Sequence, residues 1–226
     1  MQEDTFKAGN MKNSKCIDKA TLDRAFDERF PAEIKAKLNG ARVAVAGLGG
    51  LGSNIAMMLA RSGVGHLLLV DFDVVDVTNL NRQAYTIPQL GMPKPQAIRQ
   101  LLDAVNPYLK YEERFVKVTP DNVKELFEGY DIICEAFDHP DQKAMLVNEV
   151  LTKLPGAIVV SGNGMAGYSD ANDIQTRQVM KRLYVCGDGS TDALDGIGLM
   201  SPRVTVCAAH QTNKVIQLIL QENVNE

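Results

Sequence analysis

Residues 47–73 read GLGGLGSNIAMMLARSGVGHLLLVDFD, and the parsing of this run decides the fold. Gly47, Gly49 and Gly52 have the G-x-G-x-x-G spacing of a tight strand-to-helix turn whose backbone approaches a phosphate. Before them Arg42 to Ala46 is apolar and β-branched enough for a buried strand. After them Ser53 to Arg61 has the small and apolar residues of a packed helix, entered near Leu51 or Gly52. His66 to Val70 is a second buried strand, and Asp71 closes it nineteen positions after Gly52. A strand, a glycine turn, a helix and a strand ending in a carboxylate make a β-α-β unit built to hold a nucleotide.

Outward from this unit the alternation continues. Helical patterns over Lys94–Val105, Asp121–Phe127 and Asp141–Leu151 interleave with strand patterns over Tyr111–Val118, Asp131–Ala136 and Ala157–Ser161. Such alternation predicts an α/β protein of Rossmann-like, doubly wound type, with a mainly parallel sheet and helices on both faces. Ligands of such sheets bind at the carboxyl ends of the strands. Upstream, Ile17 to Leu38 carries apolar residues at helical spacing broken by Pro31, which predicts two short helices. Past Gly162 the chain turns loop-rich and glycine-rich. A short β-like piece at Arg182–Cys186 precedes a closing amphipathic helix, Val204–Gln221, with Val206, Ala209, Val215 and Leu218 as expected core contacts. Residues 1–16 are polar and patternless and are expected to form a disordered tail before one domain over residues 17–226.

Charge and composition exclude several classes. A net charge of -4 disfavours nucleic acid as the main partner, because phosphate backbones require a basic face. Apolar runs are strand-length, so no membrane partner or span is expected. The start carries no apolar signal-peptide core, and a cytoplasmic location is the default expectation. Cys16, Cys134, Cys186 and Cys207 form no C-x-x-C pair, so no cysteine-bound zinc is expected. His66, His139 and His210 have no partner at metal-ligand spacing and read as structural.

The glycine turn alone does not distinguish NAD from ATP. Helix N-termini present unpaired N–H groups and a positive dipole end to any phosphate. Asp71 suits ribose hydroxyls in either ligand. The residues that follow separate the two: DFDVVDVTNLNRQAYTIPQLGMPKPQA supplies Asn79, Arg82 and Gln83 in one loop and then Lys94 between prolines. Two cations beside one phosphate cradle suit a triphosphate whose charge must be neutralised as bonds break. Gly50 beside Gly49 also leaves room for a bulky phosphate arrangement.

The motifs GLGGLGS, GVGHLLLVDFDVV, NLNRQ, GMPK and EAFD, spread over about residues 24–165, resemble the ThiF/MoeB/HesA superfamily of adenylyltransferases related to ubiquitin-activating enzymes. NLNRQ, EAFD, KAMLV and GLMSPRV look most like a short ThiF branch of thiamine biosynthesis. The resemblance implies ATP-dependent adenylylation of the C-terminal glycine carboxylate of a ubiquitin-like, ThiS-like sulfur carrier protein. It implies that Gly47, Gly49, Gly50, Gly52, Asp71, Asn79, Arg82, Gln83 and Lys94 bind ATP, with Arg82 and Lys94 acting on the phosphates. Asp138 would hold Mg²⁺, with Glu135 a weaker candidate; the bland alternative is that Asp138 caps the next helix. It further implies a homodimer in which Arg24 or Arg29 completes the partner subunit's site, although the usual arginine motif is not recognisable. Cys186, ahead of the run GDGSTDALDGIG, is a candidate nucleophile, opposed by the alternation that would turn it inward. Activation of a molybdopterin-type carrier or of a tRNA-linked carboxylate, a non-catalytic carrier-binding protein and an NAD-dependent oxidoreductase stay open as alternatives.

Overall fold

The computed structural model describes residues 17–191 and 196–221; the expected N-terminal tail lies outside the described residues. Two short helices come first. Helix α1 (Lys19–Asp27) starts at Asp18, whose side chain accepts from the Thr21 N–H. After Pro31 comes α2 (Ala32–Gly40). Four β-α units follow: β1 (Arg42–Ala46), α3 (Gly50–Arg61), β2 (His66–Asp71), α4 (Lys94–Val105), β3 (Lys110–Phe115), α5 (Val123–Phe127), β4 (Ile132–Glu135), α6 (Pro140–Lys153) and β5 (Ile158–Gly162). Strands β6 (Gln175–Met180) and β7 (Leu183–Gly187) and helix α7 (Ser201–Leu220) complete the described chain.

The seven strands form one sheet in the order β3-β2-β1-β4-β5-β7-β6. All pair in parallel except β6, which runs antiparallel to β7. The order 3-2-1-4-5 is a doubly wound half-sheet, and its reversal between β1 and β4 opens the crevice in which such sheets bind ligands. One face of the sheet buries Val43, Val45, Leu67 and Val160 under α3, α4 and α7 residues such as Ile55, Leu59, Ile98 and Val215. The other buries Ala44, Leu68, Ile133 and Val159 under Phe127 of α5 and Leu146 and Val150 of α6. Near-continuous apolar strands are the signature of a sheet covered on both sides.

Three details depart from the sequence expectation. Strand β6 was not expected: QTRQVM is exposed along most of its length, so no buried face left its alternation in the residue types. Helix α7 begins at Ser201 with Pro202 in its first turn, three residues before the expected Val204; proline is tolerated there because its missing N–H would be unpaired anyway. The buried stripe of α7 is Val204, Cys207, Ala208, Gln211 and Val215, whereas Val206 and Leu218 are only partly buried. Small Cys207 and Ala208 fill the close contact that bulkier residues would hold open. No described helix is long and apolar enough to cross a membrane.

Candidate active site

The glycine turn is built by two backbone collisions that side chains would cause. Gly47 has φ +88°, and a Cβ there would sit 2.8 Å from the Ala136 carbonyl oxygen. A Cβ on Gly52 would sit 1.8 Å from the Gly47 carbonyl oxygen. Gly52 therefore closes the turn and does not line the cleft. Gly49 is the N-cap of α3, and no side chain caps that helix. Its opening N–H groups and dipole end are left for an anion.

Asp71 secures the turn from the end of β2. Its Oδ2 accepts the Leu48 N–H at 2.6 Å and its Oδ1 accepts the Asp73 N–H at 2.9 Å. The buried hydroxyl of Tyr85 donates to the Leu48 carbonyl at 2.8 Å. Burial pushes the Asp71 carboxyl above its ordinary pKa, with Lys94 opposing that rise.

Around this turn a cleft of ≈ 650 Å³ opens at the carboxyl ends of the parallel strands. Gly47, Gly49, Gly50, Asp71, Asn79, Arg82, Gln83, Lys94 and Asp138 all line it, so the fold gathers residues spread over more than ninety positions. Asn79 sits in a 3-10 turn (Val77–Asn79) where its Oδ1 accepts the Asp76 N–H at 3.0 Å. The Arg82 guanidinium donates to the Thr78 carbonyl at 3.2 Å and to Asn81 Oδ1 at 2.8 Å. Among the described residues it forms no ion pair with a carboxylate. The Gln83 Oε1 is buried with no partner, an orphan that a polar ligand would satisfy. Lys94, the first residue of α4, is buried, and its Nζ lies 3.0 Å from Asp73 Oδ2.

Across the cleft the loop from Ala136 to His139 carries Asp138, whose side chain is 90% exposed. It does not cap α6, because the N-cap is His139. Glu135, by contrast, is fully buried and spoken for: its oxygens accept from Lys143 Nζ, Ser161 Oγ and the Phe137 N–H. Mg²⁺ is satisfied by one or two carboxylates plus phosphate oxygens. Asp138 fits that requirement as a free carboxylate on the cleft wall, and Glu135 does not.

Cys186 is not brought to the cleft. It is wholly buried on β7, where Leu183 and Val185 face one layer and Tyr184 and Cys186 the other. Its sulfur contacts Thr176 Oγ1 at 3.4 Å. Burial raises its thiol pKa, which disfavours the thiolate a nucleophile needs. Arg182, the nearest cation in sequence, spends its guanidinium on the carbonyls of Leu151, Leu154 and Ala157. His66 bonds Glu112 at 2.8 Å and His210 bonds Thr176 at 3.1 Å, both structural roles. Arg24 and Arg29 lie on the N-terminal helical segment, away from the cleft. Sequence reasoning missed Asp73 and Lys143; the partner of each lies in another loop or helix, which no local spacing reveals.

The model of the ThiF family matches residues 22–226 of this chain. The chain belongs to the ThiF family. It is 35% identical over 191 residues to the adenylyltransferase and sulfurtransferase UBA4 of Lodderomyces elongisporus, an alignment covering 81% of this chain and 41% of that protein. It is 29% identical to the molybdopterin-synthase adenylyltransferase of Salmonella typhimurium, covering 84% of this chain and 77% of that one. The chain thus spans less than half the length of the UBA4 relatives it matches. The fold superimposes on the E. coli tRNA N6-threonylcarbamoyladenosine dehydratase TcdA solved with AMP, with TM-score 0.80 and 22% identity over 92% of this chain and 98% of that one. Neither curated relative bears a thiamine name, so the ThiF family is established and the thiamine branch rests on the motifs alone.

Proposed function

We propose that this ThiF-family chain binds ATP and adenylylates the C-terminal glycine carboxylate of a ubiquitin-like sulfur carrier protein. The observation that carries the reading is the meeting of Arg82 and Lys94 with the glycine turn and Asp71 in one cleft. A carboxylate oxygen of the carrier attacks the α-phosphorus, an acyl–adenylate bond forms, and pyrophosphate leaves with the electron pair. Charge builds on the α-phosphoryl oxygens and the leaving pyrophosphate. The Arg82 guanidinium and the Lys94 ammonium would stabilise that charge, and catalysis would consist mainly of positioning. Mg²⁺, held by Asp138 and phosphate oxygens, would supply further neutralisation.

Two finer readings belong to the same proposal. The carrier is ThiS-like on the strength of NLNRQ, EAFD, KAMLV and GLMSPRV, while the relative named for molybdopterin synthase favours a molybdopterin-type carrier. The active unit is a homodimer in which Arg24 or Arg29 reaches the partner's nucleotide. Both arginines stand exposed on the N-terminal segment and outside their own cleft.

Pyrophosphate exchange into ATP tests the central claim, measured with no carrier, with a ThiS-like carrier and with a molybdopterin-type carrier, each ending in Gly-Gly. Carrier-dependent exchange is expected, and the faster carrier assigns the branch. ATP binding without exchange by any carrier would leave a binding protein; NAD binding without ATP binding would overturn the whole reading. Mixing Arg24→Ala or Arg29→Ala protein with Arg82→Ala protein tests sharing, since hybrid dimers recover one intact site.

A further inference from the structure

The loop that walls the cleft beside the glycine turn is held by an ion pair between buried Glu135 and partly exposed Lys143, which itself lines the cleft. Glu135 ends β4 with no exposed surface, and Lys143 lies eight residues on, in the first turns of α6. Lys143 Nζ reaches both Glu135 oxygens, at 3.1 and 3.0 Å, and donates to the Phe137 carbonyl at 2.8 Å. Glu135 Oε1 in turn accepts the Phe137 N–H at 2.8 Å, and Ser161 Oγ of β5 donates to Oε2 at 2.5 Å. The N–H and the C=O of Phe137 are therefore both tied to the same pair. That residue immediately precedes Asp138.

Asp138 itself has nothing to hold it. Its side chain is 90% exposed, and the His139 ring lies 3.8 Å from it. The same loop also presses on the glycine turn, since the Ala136 carbonyl occupies the space a Cβ on Gly47 would need. A loop that carries a lone exposed carboxylate and touches the phosphate turn must be stiff for that carboxylate to meet a cation on the phosphates. Burying the Glu135 carboxylate is costly even with a cation beside it and is not the cheapest route to stability. Its geometry is spent on the backbone before Asp138.

We propose that Glu135 and Lys143 are positioning residues that preset the Asp138 carboxylate for the metal on bound ATP. The inference rests on the nucleotide reading above. Glu135 lies behind the cleft and acts through Phe137 and Asp138; Lys143 lines the cleft, and its positioning role is distinct from any contact with ATP.

The test is calorimetric. ATP binding to the whole protein is measured with and without Mg²⁺, and the ratio of the two affinities is the readout. The wild type is expected to bind ATP more tightly with Mg²⁺, and Asp138→Ala to lose that gain. Lys143→Met, which strands the buried carboxylate, is paired with the double variant Glu135→Gln/Lys143→Met, which leaves no buried charge alone and keeps the shape. In whichever folds, the Mg²⁺-dependent gain is expected to fall by about tenfold, the usual effect of removing a group that orients a metal ligand; an equal loss of affinity with and without Mg²⁺ would mean that Lys143 contacts ATP directly and would overturn the positioning role. An unchanged Mg²⁺ gain in a folded variant, with only its melting temperature lowered, would make the pair purely structural and overturn the proposal, as would a wild type indifferent to Mg²⁺. Mg²⁺-coupled ATP binding that follows this pattern without pyrophosphate exchange would sink the adenylylation reading and leave this one standing.

Discussion

Lys94 Nζ lies 3.0 Å from Asp73 Oδ2, joining the buried first residue of α4 to the half-exposed loop after β2. Asp73 supplies the ammonium's counter-charge in this structure, a role that the phosphates are expected to take over if the cleft binds ATP as proposed. Arg82 has no carboxylate partner among the described residues, so its cation is not committed elsewhere. Lys94→Ala and Arg82→Ala are each expected to slow carrier-dependent exchange by about 10²-fold or more, the scale of one lost transition-state donor. Asp73→Asn should lower stability without nucleotide by about 1 kcal/mol, since the partner is half exposed. That is about 3 °C in melting temperature for a chain of this size. Differential scanning fluorimetry should show the gap narrowing once saturating ATP supplies the missing counter-charge.

Asp71 gives a pH dependence with a defined sign. Burial raises its pKa above the ordinary 3.8, so in the folded protein the carboxyl takes up its proton at a higher pH than an exposed aspartate. Ribose hydroxyls donate to the charged form. ATP affinity should therefore fall on acidification while ordinary carboxylates are still ionised. Asp71→Asn should remove that acid limb and weaken binding at neutral pH by about 1–3 kcal/mol. Titration calorimetry across the acidic range reads both effects.

Asp188 behaves oppositely. Burial alone would raise its pKa, but hydrogen bonds from Thr191 and Ser190 outweigh that and hold it at about 2. It is also the ion-pair partner of buried Arg203, whose Nη1 donates to the Asp170 carbonyl at 2.6 Å. A depressed carboxyl stabilises the fold above its unfolded pKa near 3.8 and loses that contribution as pH falls toward 2. Asp188→Asn should cost about 2 kcal/mol or more at neutral pH, with the difference from wild type closing below pH 4. Chemical denaturation at a series of pH values checks the closure.

The thiols should be silent. Cys134, Cys186 and Cys207 are all buried and free, and burial pushes the Cys207 thiol up to about 12. In a Cys16→Ser background, which removes the cysteine outside the described residues, native protein should take up no alkylating reagent until it is unfolded. Cys186→Ser should retain carrier-dependent exchange. Rapid native labelling at Cys186, found by mass spectrometry, would return it to the list of reactive groups.

Much of this molecule was legible in its residues, and the failures have physical causes. The unit from β1 to β2 could be read because Gly47 and Gly52 are dictated by backbone collisions and Asp71 by burial at a strand end; each leaves one residue type standing. Asn79, Arg82 and Gln83 could be grouped because they share one loop, and Lys94 because it opens the helix that follows; the fold brings all four to the cleft. Strand β6 could not, because a sheet edge with solvent on most of its side chains imposes no alternation. Cys186 invited a catalytic reading from its neighbours in sequence, yet strict alternation across a sheet covered on both faces turns it into the core. Glu135 could be seen but not interpreted, since its partners Lys143 and Ser161 arrive from a helix and another strand.

The register shift between Gln178 and Met180 in β6 bears on how copies of this chain meet in a crowded solution. A regular outer strand offers a row of unpaired amides and carbonyls on which another molecule can zip up, and here that strand also shows Val179 and Met180 to solvent. The irregularity bends and twists the border, so a second border cannot run alongside it for more than a few bonds. Val179, set out of register, thus interrupts the regular row of amides and carbonyls on this border and hinders edge-to-edge pairing with a second copy.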